Sequence, residues 1–168
     1  MNHKLKMVII VVLIVGIAVF AIFRNRESQE LRDYFIVTLT VSAETLLGNM
    51  HLLHRDKHEL VPIDGLIFPE TAVIAYEGES VFDVLNREMR NAGIHLVFRR
   101  MPIFDFIYIE AINNIFEFDA GALSGWKYRV NGVFPGIDAS SYILQDGDFI
   151  ELLFTLALGR DLGDLGYE

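Results

Sequence analysis

Hydrophobic and polar positions alternate most cleanly over residues 125–132 (GWKYRVNG). Trp126, Tyr128 and Val130 fall on one side, and Lys127, Arg129 and Asn131 on the other. That is the pattern of a strand with one buried and one wet face. The strand runs into Asn131-Gly132, a dipeptide that takes positive φ at both centres of a type I′ turn. A second reversal, Gln145-Asp146-Gly147-Asp148, feeds a further strand over residues 149–155. Upstream, residues 34–41 (YFIVTLTV) predict a strand with Phe35, Val37, Leu39 and Val41 on the fuller apolar face. Residues 42–60 show no clean period, which predicts irregular chain with room for a short helix. Residues 61–65 (VPIDG) predict a turn, followed by extended chain over residues 66–76.

Helical spacing appears once with force. Val81, Leu85, Met89 and Ala92 recur on one face with Phe82 beside them, which makes a core-facing stripe. Ser80 stands where an N-cap belongs and Asp83 in the first turn, where a carboxylate suits the helix dipole. Gly93 follows as the left-handed terminator. Residues 94–99 predict a strand with Ile94, Leu96 and Phe98 inward, broken at Met101-Pro102. Residues 103–112 (IFDFIYIEAI) are apolar on both faces, and Asn113-Asn114 turns the chain into residues 115–119. The Gly/Asp/Leu-rich tail from Gly159 to Gly166 is expected to fray. One long helix among several strands is an α+β arrangement, and a helix laid across a mixed sheet suggests a β-grasp.

Charge and composition narrow the function classes. The first 33 residues hold five Lys/Arg and three acids; the chain total of 14 basic and 23 acidic then leaves 9 against 20 in residues 34–168, about −11. Such a domain repels phosphate backbones, so nucleic acid is not expected as a partner. The absence of cysteine removes a disulfide framework, thiolate metal sites, a Cys nucleophile and a lipidated N-terminal Cys.

Residues 7–23 form an uncharged run of 17, rich in Val and Ile. As a helix they would span about 25 Å, the short end of what crosses a bilayer. Two readings stand: an uncleaved signal-anchor, which is preferred, or a cleaved signal cut after Ala21 in Val19-Phe20-Ala21. The expected organisation is a short cytoplasmic tail (residues 1–6), a transmembrane anchor (7–23), a polar linker (24–33) and an extracytoplasmic domain (34–168).

Four stretches, VPIDGLIF (residues 61–68), GESVFDVL (78–85), YIEAINNIFEFDAGALSGWKYRVNG (108–132) and LQDGDFIELLFTLALGRDLG (144–163), resemble in their order the transcobalamin-like C-terminal domain family, bacterial extracellular modules. The resemblance spans about residues 34–163. It implies a ubiquitin-like β-grasp of the ligand-binding type, akin to the smaller domain that closes over cobalamin in vitamin carriers, together with export and membrane anchoring. Members often carry Cys in the neighbourhoods of Ala43, Ala120 and Leu156; this chain has none, so the resemblance implies stability from packing alone.

Catalytic and metal constellations are weak. His51, His54 and His58 (H-x2-H-x3-H) would share one face if helical and could then ligate Zn²⁺ or Ni²⁺, but Gly48, Asn49, Arg55 and Lys57 around them read as a solvated loop. Asp146-Gly147-Asp148 lacks the further acids of a calcium loop and reads as hairpin chemistry. Ser124 lacks a nucleophile-elbow context, and Ser140-Ser141 has no His near it in sequence. Glu117 and Asp119 read as the wet face of one strand. No catalytic residue, metal ligand or cofactor is assigned.

The aromatic residues carry more. Phe104, Phe106 and Tyr108 share one face of their strand, while Ile103, Ile107 and Ile109 share the other. Apolar residues on both faces require a second cover: residues 42–60, central-strand burial, or a ligand or partner. Trp126, Tyr128, Phe134, Tyr142 and Tyr108 are the candidate ligand-binding group. Trp126, beside Gly125, would serve as a lid on the core or as a stacking platform. The function these features predict is a non-catalytic module that binds a small molecule, cobalamin-like or otherwise, or a cell-surface protein. The alternative is a structural or adhesion domain of a surface assembly. An aromatic-lined concavity would favour the first and a flat apolar edge the second.

Overall fold

The computed structural model describes residues 13–17, 20, 33–101 and 106–164. The chain divides into two units, Met1–Asp33 and Tyr34–Glu168. In the first, residues 13–17 and 20 are helical, and most of the expected anchor and linker lies outside the described residues. Among the described residues no helix is long and apolar enough to cross a membrane.

The second unit is an α+β domain. It holds β1 (Tyr34–Ser42), β2 (Leu66–Tyr76), α1 (Val81–Ala92), β3 (Leu96–Met101), β4 (Phe106–Ile112), β5 (Ile115–Phe116), β6 (Gly125–Val130) and β7 (Phe149–Thr155). Its strands form two sheets, of order β2-β1-β7-β6 and β3-β4-β5. β1 and β7 run parallel, and every other neighbouring pair is antiparallel.

Local chemistry explains most boundaries. α1 begins in a reciprocal capping box: the Asp83 N–H donates to Ser80 Oγ at 3.2 Å, and the Ser80 N–H donates to the Asp83 carboxylate at 2.9 Å. It ends at Gly93, φ 69°, with the Ile94 N–H reaching the Met89 carbonyl at 2.9 Å, which satisfies carbonyls the helix leaves open. Val81, Phe82, Val84, Leu85 and Met89 are buried. Ala92, expected in that stripe, is exposed at the last turn; Val84 takes part instead. The inner face of the larger sheet meets α1 through Val37, Leu39, Val41, Val73, Ala75, Ile150 and Leu152.

A second core adjoins the first. Leu46, Leu53 and Val61 pack with Ile115, Ala120 and Phe154, and Leu156 leans on them. The 42–60 segment therefore covers the end of the sheet, through three short 3-10 turns at Glu44–Leu46, Met50–Leu52 and Arg55–Leu60. Ala43 and Ala120 are buried here, so these two positions and Leu156 converge on one cluster. On the outer sheet face Glu151, 8% exposed, is held by Arg129 across the strand pair, with Nη2 2.6 Å from Oε1.

Several expectations need correction. β3 starts at Leu96, and Phe98 is 40% exposed, its ring meeting Phe82 edge-on at 4.7 Å. Pro102 and the first residues of the expected 103–112 strand lie outside the described residues. Residues 117–119 are not strand: Asp119 folds back to accept the Phe116 N–H at 2.6 Å. The tail does not fray through Asp164. The Asp161 carboxylate accepts the Thr155 hydroxyl and the Leu156 N–H, and Asp164 pairs with Lys127. Residues 165–168 lie outside the described residues.

Candidate functional site

The two sheets face each other at β4 and β6 without a shared ladder. Between these strands lies a concavity of about 370 Å³. The alternation of β6 turns Trp126 and Tyr128 toward it, β4 contributes Ile107, Tyr108 and Ile109, and the loop of residues 134–139 closes it. Four of the five candidate aromatics, Tyr108, Trp126, Tyr128 and Phe134, line this one cavity. The fifth, Tyr142, does not; its ring meets Tyr128 at 6.4 Å, interplanar angle 76°, and packs against the main core.

Each wall is fastened. The Trp126 indole N–H donates to the Ile115 carbonyl at 2.8 Å, and its ring meets Phe154 edge-on at 5.2 Å. The ring packs against both cores and also lines the cavity. One half-buried side chain thus packs on the core and borders the cavity. The Tyr128 hydroxyl donates to the Ile137 carbonyl at 2.8 Å, tying β6 to the loop. Tyr108 donates its phenol hydrogen to Glu117. Burial, then that carboxylate, pushes its pKa up to about 12, against a weaker opposing effect of Arg99.

Asp138 organises the loop. Its carboxylate accepts the Ser140 N–H at 2.9 Å, the Ser140 and Ser141 hydroxyls, and the Ile107 N–H. Burial would raise its pKa; these hydrogen bonds outweigh burial and hold it below the usual carboxylate value. The two serines are therefore donors in a turn. Lys127 and Asp164 also line the cavity, and the Lys127 ammonium lies 5.5 Å from the Phe134 ring centroid. Asp138, Lys127 and Asp164 were not singled out from sequence. The Asp-x-Ser-Ser pattern is a turn signal that could have marked the loop, whereas nothing local pairs Lys127 with Asp164.

Other sequence candidates disperse. His51 lies in Met50–Leu52, His54 precedes Arg55–Leu60 and His58 lies within it, so the three do not share a helical face. His58 Nε2 is 3.0 Å from the Leu53 carbonyl, and His54 meets Asp56 at 3.3 Å. Among the described residues no group of three or more His, Asp or Glu side chains is placed to hold a metal. Ser124 is buried and bonded within its own turn. Glu117 and Asp119 have separate partners, Tyr108 and Lys57.

Residues 78–155 match the family described as "Domain of unknown function (DUF4430)". The fold also aligns with haptocorrin in its complex with Cbi, with a TM-score of 0.54 and 16% identity, over 76% of this chain. That likeness is one of fold, and it supports the transcobalamin-like resemblance read from the sequence. The chain spans only 26% of the haptocorrin chain, so the likeness concerns the fold of one part of that protein. A Ruminococcus gnavus ATCC 29149 protein described as a candidate metal-binding protein aligns over 72% of this chain and 96% of its own, at 15% identity. Its TM-score is 0.41. No curated protein matches the chain significantly.

Proposed function

We propose that this transcobalamin-like domain is a non-catalytic binding module for a small molecule, held at the membrane by residues 7–23 with residues 34–168 on the extracytoplasmic side. The observation that carries the reading is the cavity between β4 and β6, where Tyr108, Trp126, Tyr128 and Phe134 converge. Aromatic walls with few polar groups are the usual make-up of small-molecule sites, and about 370 Å³ falls within their size range. We read the topology as a β-grasp: an antiparallel β1-β2 hairpin, then α1, with the final strand β7 parallel to β1. Haptocorrin, whose fold it resembles, is complexed with Cbi, which makes a corrinoid the first ligand to try.

Trp126 is the only tryptophan and reports on the cavity directly. The full chain in detergent would be titrated with cobinamide and, separately, with a fractionated small-molecule extract, reading Trp126 emission. A saturable change with either supports a binding module. A folded chain whose emission responds to neither contradicts it. The adhesion alternative draws on Tyr34, Ile36 and Ile74, exposed at 68%, 45% and 45% on the β1-β2 pair.

A further inference from the structure

The cavity is lined by one ammonium, Lys127, against two carboxylates, Asp138 and Asp164. Lys127 is already committed: it pairs with Asp164, stands 3.5 Å from the Leu158 carbonyl and lies over the face of Phe134. A positive charge on an aromatic face, countered by a carboxylate, is thus an arrangement this cavity makes with its own side chain. Aromatic faces are the negative side of the ring quadrupole and attract cations within about 6 Å. The surrounding domain adds a field of the same preference, since residues 34–168 carry about −11.

We propose that the cavity selects organic cations, small molecules whose positive charge sits on an apolar or aromatic frame, such as a quaternary ammonium or an alkylated ring nitrogen. This rests on the reading of the cavity as a small-molecule site and adds the ligand's charge class. A weakly hydrated cation stacks on Trp126 or Tyr128 in the field of the Asp138 carboxylate, or takes the place of the Lys127 ammonium on Phe134 beside Asp164. An anion would meet both carboxylates, and the one ammonium that could receive it is held by Asp164. A neutral ring gains stacking alone.

The test uses three benzyl probes on the full chain, with Trp126 emission and calorimetry as readouts: benzyltrimethylammonium, benzyl alcohol and phenylacetate. The proposal expects the cation to bind about tenfold or more tightly than the other two, and its affinity to fall with added salt. Lys127→Met should tighten the cation several-fold by removing the resident competitor, and Phe134→Leu should weaken it several-fold. Circular dichroism checks both folds, and Phe134→Leu decides the matter if Lys127→Met does not fold. Phenylacetate binding tightest, or cation binding lost in a folded Lys127→Met, would overturn the proposal. Equal binding of all three probes overturns the charge preference while leaving the cavity a small-molecule site. No response to any of them also overturns the charge preference, whereas the small-molecule reading stands or falls on the titrations with cobinamide and extract.

Discussion

Trp126 shows how one side chain serves packing and exposure together. Its indole N–H is satisfied by Ile115 and its ring is wedged against Phe154, yet one side of it lines the cavity. Trp126→Phe removes the hydrogen bond and part of the edge contact, so a stability loss of about 1–2 kcal/mol is expected, measured by urea unfolding. Wild-type emission should be partly quenched by iodide. Complete protection would mean that the ring does not face the cavity. Tyr108 makes a pH prediction. Its folded pKa is raised to about 12 from the ordinary phenol value of 10.0, so its contribution is present below pH about 10 and is lost as pH rises through about 12. Tyr108→Phe should therefore flatten the loss of stability in that alkaline window. Asp138 has the opposite sign: its lowered pKa makes its contribution present above the ordinary carboxylate range and lost as pH falls below it. Loop residues 134–139 should then lose amide protection first in acid, read by hydrogen exchange.

At the level of elements, α1 and β2 were legible in the sequence to the residue, because their signals are local. Capping residues, a terminating glycine and a stripe at helical spacing all lie within one turn of what they determine. Leu85, fully buried, tests the stripe: Leu85→Ala should cost about 2–5 kcal/mol through lost burial and the cavity left behind. Gly65 tests the turn before β2. Its φ of 74° and its packing on Glu44, whose Cα would stand 2.7 Å from an added methyl carbon, leave no room for a side chain. Gly65→Ala should destabilise by about 1 kcal/mol or more, seen as a lower Tm. Where the sequence reading failed, the cause was long-range. Alternation in β4 and β6 marks their faces but not their partners, so the division into two sheets was invisible. Tyr108, Trp126 and Tyr128 were legible from face patterns, and Phe134 from its place near the turns. Tyr142 lies behind Tyr128 rather than in the cavity lining, which a loop without a period does not reveal, and Asp138, Lys127 and Asp164 went unnoticed because their partners are distant or lie in a loop.

For the whole molecule, the proposal joins an apolar N-terminal run to an acidic, cysteine-free domain whose cavity opens between two sheets. The topology can be read by fusing alkaline phosphatase to the C-terminus. The anchored, extracytoplasmic reading expects an active fusion, and a stable but inactive one would reverse it. Release of the domain with an N-terminus at Ile22 would instead identify a cleaved signal. Cavity occupancy is the central claim, and Ile137 gives access to it. Ile137 lines the cavity yet is 51% exposed, so a larger ring there can fill the space with little cost to the fold. Native mass spectrometry of the full chain, released from detergent after incubation with a small-molecule extract, would compare wild type with Ile137→Trp. The account predicts one bound small molecule per wild-type chain and none on a folded Ile137→Trp. A bare wild-type mass, or an adduct retained equally by the filled variant, would contradict it.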